Sequence, residues 1–202
     1  MYVGAEVAIG SSIANYLALD NIGHFVSAST SPSPILRYQE SLRMAAKYIS
    51  LYWLGAMVGR FIGSAVLQKL KTGPVLGFCA IMAALLVTLS VFSNGSVAMW
   101  SILLVGLFNS IMFPSIFALG VAELGPLTGD GSGILIMAIV GGAAIPYLVG
   151  KIGDVINARS YGGAIWGQGL HYALIVPTLC YLYILFFALS GSKPNSQRHA
   201  RS

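Results

Sequence analysis

"YWLGAMVGRFIGSAV", residues 52–66, sets three glycines, Gly55, Gly59 and Gly63, at intervals of four inside an apolar run. On an α-helix that spacing lines them along one stripe, where a second backbone can come close. The stripe is read as a helix-packing face with no chemistry of its own. Arg60, within the same run, can reach the membrane boundary by snorkelling, so an interfacial role or a loop salt bridge is weighed ahead of ligand contact. "YLVGKIGD", residues 147–154, echoes the pattern: glycine, a base, apolar residues, then glycine and a small polar residue. Such an echo matters if the two stretches are corresponding members of an internal repeat.

Windows of roughly 20 apolar residues give six spans. They lie at 1–19, 47–67, 74–92, 97–119, 132–149 and 170–189, so the glycine-rich pair are the second and the fifth. The six divide as three plus three, as an inverted repeat requires. Composition agrees, with 56% hydrophobic and only 8% charged residues, against about a quarter charged in a soluble domain. The expected fold is therefore an all-α polytopic membrane protein, a bundle over 1–192 followed by a basic tail at 193–202. "KTGP", "SNGS" and "LGPLTGDGSG" mark turns, and "SASTSPSP" excludes a regular helix between the first two spans. "ILRYQESLRMAAK", which follows, reads as an amphipathic segment at the interface.

A net charge of +5 raises the question of nucleic acid. The bases flank apolar spans, however, and no basic groove with interleaved aromatics is present, so a nucleic-acid partner is excluded and the lipid bilayer takes its place. Lys69, Lys71, Lys193, Arg198 and Arg201 fall on one face; Arg37, Arg43, Lys151 and Arg159 fall on the other, with Lys47 at its edge. The first set is packed into a short loop and a tail, which places both ends in the cytoplasm. The chain enters its first span at once, without a basic leader, and so reads as the middle of a longer protein.

Three features carry chemistry. "MYVGAEVAIGSSIANYLAL", residues 1–19, holds Glu6 and Asn15 where water is scarce, and an intramembrane carboxylate faces a bundle interior, a wet cavity or a partner. Tyr2 and Glu6 are four apart and share a helix face; Glu6 and Asn15 are nine apart and do not, unless Gly10–Ser12 unwinds. The fourth span carries "LFNSIMFPSIFALG", in which Pro114 removes a backbone hydrogen bond just beyond Asn109. A buried amide beside a kink suits a polyhydroxylated ligand; a bond from Asn109 to a neighbouring helix is an equal alternative. Glu6, Asn15, Asn109 and Tyr2 are thus the candidate substrate contacts, while Gly55, Gly59, Gly63, Arg60 and Pro114 are assigned to packing and gating. Catalysis is not expected. His24 and His199 fall in a loop and the tail, His171 stands alone at a span edge, and neither Cys79 nor Cys180 has a basic neighbour, so no metal site, cofactor or nucleophile–base pair is implied.

"YVGAEVAIGS", "YWLGAMVGRFIGS", "FNSIMFPSIFALGV" and "GSGILIMAIVGGAAIPYLVGKIGD", in that order, resemble the C-terminal half of the fucose permease/glucose–galactose transporter family of the major facilitator superfamily. Glu at position 6 is closer to the glucose/galactose branch. The resemblance implies half of a major facilitator fold in a bacterial inner membrane. It further implies hexose transport by ion-coupled symport, with a proton or sodium ion as the coupling partner and the N-terminal six-helix half as the other. A truncated, non-transporting fragment or a six-helix pore is the alternative.

Overall fold

In hydrocarbon every backbone polar group must find its partner inside the chain, which leaves helices as the structure of an apolar chain with no strand alternation. The computed structural model describes residues 1–24, 33–122, 124–160 and 168–191, and no strand occurs among them. The helices are α1 (Tyr2–Leu17), α2 (Asp20–Gly23), α3 (Pro34–Leu67), α4 (Thr72–Phe92), α5 (Gly95–Asn109), α6 (Met112–Val121), α7 (Thr128–Met137), α8 (Gly141–Ser160), α9 (Gly169–Ala173) and α10 (Ile175–Phe186). The last continues into a π-helical turn, Phe187–Gly191.

Among the described residues five stretches are long and apolar enough to cross a membrane: Ile35–Leu67, Thr72–Phe92, Gly95–Val121, Gly125–Arg159 and Gly169–Ser190. With α1, a helix of 16 residues, they make a bundle of six long helical segments. Two differ from the sequence reading. Residues 35–47 and the second span form one 34-residue helix, α3, because no glycine or proline stands between Pro34 in its first turn and Gly55, well inside the second span. Ser41 and Ala45 from that extension are fully buried, so packing holds it to the bundle. The fifth span starts in the stretch expected to be a turn, at Thr128, where Asp130 lies in the first turn of α7 and complements the helix dipole. The tail and most of "SASTSPSP" lie outside the described residues.

The packing shows the three-plus-three arrangement. Against α5, the first helix of the second triplet, lies α3, the second helix of the first; against α8 lies α1, its mirror pairing; α4 and α10, the third members, lie against each other. Glycines mark both crossings. A Cβ on Gly4 of α1 would overlap Ile145 and the Gly141 carbonyl of α8, and one on Gly106 of α5 would overlap the Tyr52 carbonyl and ring of α3. The main core gathers Ile9, Ile13 and Leu17 of α1, Leu76 and Val87 of α4, Ile102 of α5 and Tyr181 of α10. A smaller one joins Ala8, Val149 and Ala173.

Burial is unequal. About half of each apolar stretch in α4, α5–α6 and α9–α10 is buried, at 56%, 50% and 50%, against 17% in α3 and 6% in Gly125–Arg159. The second and fifth spans therefore present most of their surface outward.

A candidate binding recess around Glu6

The 27-residue span Gly95–Val121 is not one helix. α5 ends at Asn109, Ser110 and Ile111 form a turn with Ile111 at φ −107°, ψ −4°, and α6 begins at Met112. Pro114 has no N–H, so the Ser110 carbonyl lacks its ordinary helical donor, and the last carbonyls of α5 are open as at any helix end. α3 reaches this break through its glycine stripe. A Cβ on Gly59 would overlap the Leu107 carbonyl oxygen and approach Ser110 Oγ, and one on Gly63 would overlap Ile111, whereas at Gly55 the nearest atom is the Leu107 nitrogen at 3.7 Å.

Beside the break opens a recess of about 480 Å³, lined by Tyr2, Val3, Glu6, Arg60, Ser110, Phe113, Pro114 and Ile139. Four of the sequence-chosen residues, Tyr2, Glu6, Arg60 and Pro114, thus meet at one place. Glu6 is half-buried and Arg60 exposed, and both line the recess. The recess combines a carboxylate, a guanidinium and two hydroxyl-bearing side chains with apolar and aromatic walls, the mixture that orients a small polar ligand. A second cavity of about 410 Å³ adjoins it at Tyr2, Val3, Phe113 and Ile139 and is walled by Ile116, Phe117, Leu135, Tyr183 and Phe187.

Two candidates stand apart from the recess. Asn15 is exposed on a continuous α1 and accepts a hydrogen bond from Tyr38 at 3.3 Å; Gly10–Ser12 does not unwind. Asn109 is 1% exposed and turned into the bundle. Its Oδ1 accepts from the Tyr181 hydroxyl at 2.9 Å, its Nδ2 donates to the Tyr52 hydroxyl at 3.2 Å, and its backbone carbonyl accepts from Tyr2 at 2.6 Å. Of the two uses the sequence allowed for this amide, the bond to neighbouring helices is the one seen here.

Sequence reasoning passed over Tyr52 and Tyr181, both essentially fully buried. Their signal was available, since a phenol within an apolar span needs a hydrogen-bond partner. It likewise passed over a second cluster at the far end of α1. His171, 3% exposed, faces the Val91 carbonyl through Nε2 at 2.7 Å, which makes that nitrogen the donor, and Tyr16 through Nδ1 at 3.3 Å. Tyr16 in turn meets Ser90 Oγ at 2.7 Å, and Ser90 Oγ donates to the Ala98 carbonyl at 2.9 Å. This polar chain ties α1, α4, α5 and α9 together.

The chain is similar to known transporters. It is 42% identical over 193 residues to a glucose/galactose transporter of Brucella abortus, covering 96% of this chain and 40% of that one. It is 41% identical over 196 residues to a putative glucose/galactose transporter of Helicobacter pylori, and 31% identical over 171 residues to the L-fucose-proton symporter of Escherichia coli. Among solved structures it superposes on a major facilitator superfamily transporter, FucP, in the outward conformation, with a TM-score of 0.76 and 28% identity, covering 96% of this chain and 40% of that one. The chain spans about 40% of the length of the relatives it matches. No protein-family model matches it.

Proposed function

We propose, because the chain belongs to the sugar permeases of the major facilitator superfamily and forms one half of their fold, that it is the C-terminal half of an ion-coupled hexose carrier working by alternating access. Its relatives are transporters, so the chain is not an enzyme; it is a multi-pass protein of the bacterial inner membrane. The observation that carries the reading is the recess at the helix break, where Glu6 and Arg60 share a cavity of about 480 Å³ with an aromatic wall. A carboxylate accepts hydrogen bonds from two adjacent sugar hydroxyls at charge-assisted strength, and an apolar wall receives the C–H face of the ring. Glu6 is the principal sugar ligand, with Tyr2 beside it; Asn109 and Asn15 contribute by holding neighbouring helices rather than by touching the sugar in this arrangement. Greater likeness to the glucose/galactose relatives than to the fucose symporter, 42% against 31% identity, favours glucose or galactose. The outward surfaces of α3 and of α7–α8 are where the N-terminal half would seat, and rocking of one half against the other is what moves the sugar.

The test is uptake in a transporter-deficient cell. The 202-residue chain co-expressed with the N-terminal half of a glucose/galactose relative accumulates labelled hexose, and the chain alone does not. Robust uptake by the chain alone would overturn the half-carrier reading in favour of an oligomer or pore. In the assembled carrier Glu6→Gln retains ion-driven accumulation while weakening sugar affinity by about 1–3 kcal/mol, the worth of a charged hydrogen bond. Unchanged affinity with lost accumulation would instead move Glu6 from binding to coupling.

A further inference from the structure

One side of α1 is left uncovered by the rest of the bundle, and it is not built for lipid. Glu6, Gly10 and Ala14 are partly exposed, and Val7, Ser11 and Asn15 are exposed, whereas Ala5, Ile9, Ile13 and Tyr16 on the opposite side are buried. A surface that meets hydrocarbon carries large apolar side chains, as the exposed row Phe78, Ile81, Leu85 and Leu89 of α4 does. The uncovered side of α1 instead has a carboxylate at one edge, an amide at the other and, with Val7 as the larger exception, small residues between them. Ser11 satisfies itself by donating to the Val7 carbonyl at 2.6 Å. A carboxylate and an amide within a span, however, turn towards protein or water and away from acyl chains.

Gly10 is the residue of this side whose identity packing does not explain. Glycine is among the poorest residues for a helix interior, and α1 runs unbroken from Tyr2 to Leu17, so Gly10 serves no kink. Gly4, in the same helix, has a reason in the close approach of α8, where a Cβ would overlap Ile145 and the Gly141 carbonyl. A Cβ on Gly10 would meet nothing within 4 Å among the described residues. Gly10 follows Glu6 by one turn, about 6 Å along the helix axis and about 40° around it. The missing side chain therefore leaves open the space adjoining the carboxylate. The uncovered stretch is bounded at its far end: Asn15 accepts a hydrogen bond from Tyr38, and Ala18 is fully buried.

We propose that this side of α1 walls a water-filled passage leading to Glu6, and that Gly10 sets its width and so determines what reaches the recess. A side chain at position 10 stands in the way of a hexose. The inference rests on the sugar-carrier reading above and adds to it a residue that lies outside the lining of the recess itself.

The experiment uses the assembled carrier, the 202-residue chain co-expressed with the N-terminal half of a glucose/galactose relative. Gly10→Cys is treated with a charged methanethiosulfonate reagent, and the unsubstituted chain, whose Cys79 and Cys180 are buried, gives the background. Gly10→Cys is labelled, and saturating glucose or galactose slows the labelling. Gly10→Ala weakens hexose binding severalfold and Gly10→Leu abolishes it, while the two halves still co-purify. The unfolding temperature of Gly10→Ala does not fall, because a methyl there clashes with nothing. Failure of the charged reagent to label Gly10→Cys overturns the passage. Hexose binding unchanged in Gly10→Leu overturns the role of Gly10, as does labelling that bound hexose leaves unchanged. Loss of co-purification in Gly10→Ala and Gly10→Leu also overturns it and assigns Gly10 to the contact between the halves. If the unsubstituted carrier binds no hexose, the sugar reading itself fails, and labelling of Gly10→Cys still decides whether the passage exists.

Discussion

Asn109 shows how one buried amide can hold a membrane bundle together. Its two side-chain polar atoms and its carbonyl are matched by three tyrosines from α1, α3 and α10. Tyr181→Phe removes the donor to Oδ1 and leaves a buried amide oxygen without a partner, at a cost of about 1–3 kcal/mol. The expected result is a lowered unfolding temperature in detergent for Tyr181→Phe and little change for Tyr183→Phe, whose ring is exposed. Equal stability of the two variants would mean that the Asn109 cluster holds nothing. The sequence made Asn109 conspicuous but could not choose its partner, because the three phenols lie 57 to 107 residues away.

At the scale of the element, the glycine stripe of α3 makes a graded prediction. Gly59→Ala drives a methyl into the Leu107 carbonyl, which belongs to backbone and cannot turn aside, while Gly55→Ala meets nothing nearer than 3.7 Å. Overpacking of the first kind costs about 1–3 kcal/mol. Thermal stability of the purified chain, read by size-exclusion chromatography after heating, should fall for Gly59→Ala and hold for Gly55→Ala; the reverse order would show that α3 does not seat on α5 through Gly59. Spacing in the sequence identified this face as a contact. It did not rank the glycines, since the rank depends on where the partner helix crosses. The elements themselves were legible where apolar runs were bounded by breakers. The structure differs at residues 35–47, which continue the helix of the second span because nothing in them stops a helix, and at 128–132, a glycine-rich stretch that opens α7 instead of forming a turn.

For the whole molecule the outstanding property is its two uncovered surfaces, on α3 and on Gly125–Arg159. These are corresponding members of the repeat, so the pseudo-symmetry that pairs α1 with α8 and α3 with α5 also leaves one such span on either side. The proposed orientation, with both ends cytoplasmic, follows from an even number of spans and from Lys69 and Lys71 in a short loop. An export-dependent phosphatase fused after Ser202 should stay inactive, and the same enzyme inserted after Asn94, in the turn between α4 and α5, should be active. Activity after Ser202 would invert the assignment.

What the sequence determined by itself was the class and the plan: an all-α membrane bundle, its internal three-plus-three division, the family it resembles, and the strangeness of Glu6. These are properties of composition and period, because the bilayer forbids exposed backbone and so ties each long apolar run to a helix. The tertiary structure decided which polar residues meet. It brought Tyr2, Glu6, Arg60 and Pro114 to one recess, sent Asn15 to the surface of α1 and turned Asn109 inward. The physical reason is that a hydrogen bond is settled within 3 Å or so by the crossing of distant helices, and periodicity along one helix records which face a residue shares but not what stands opposite it.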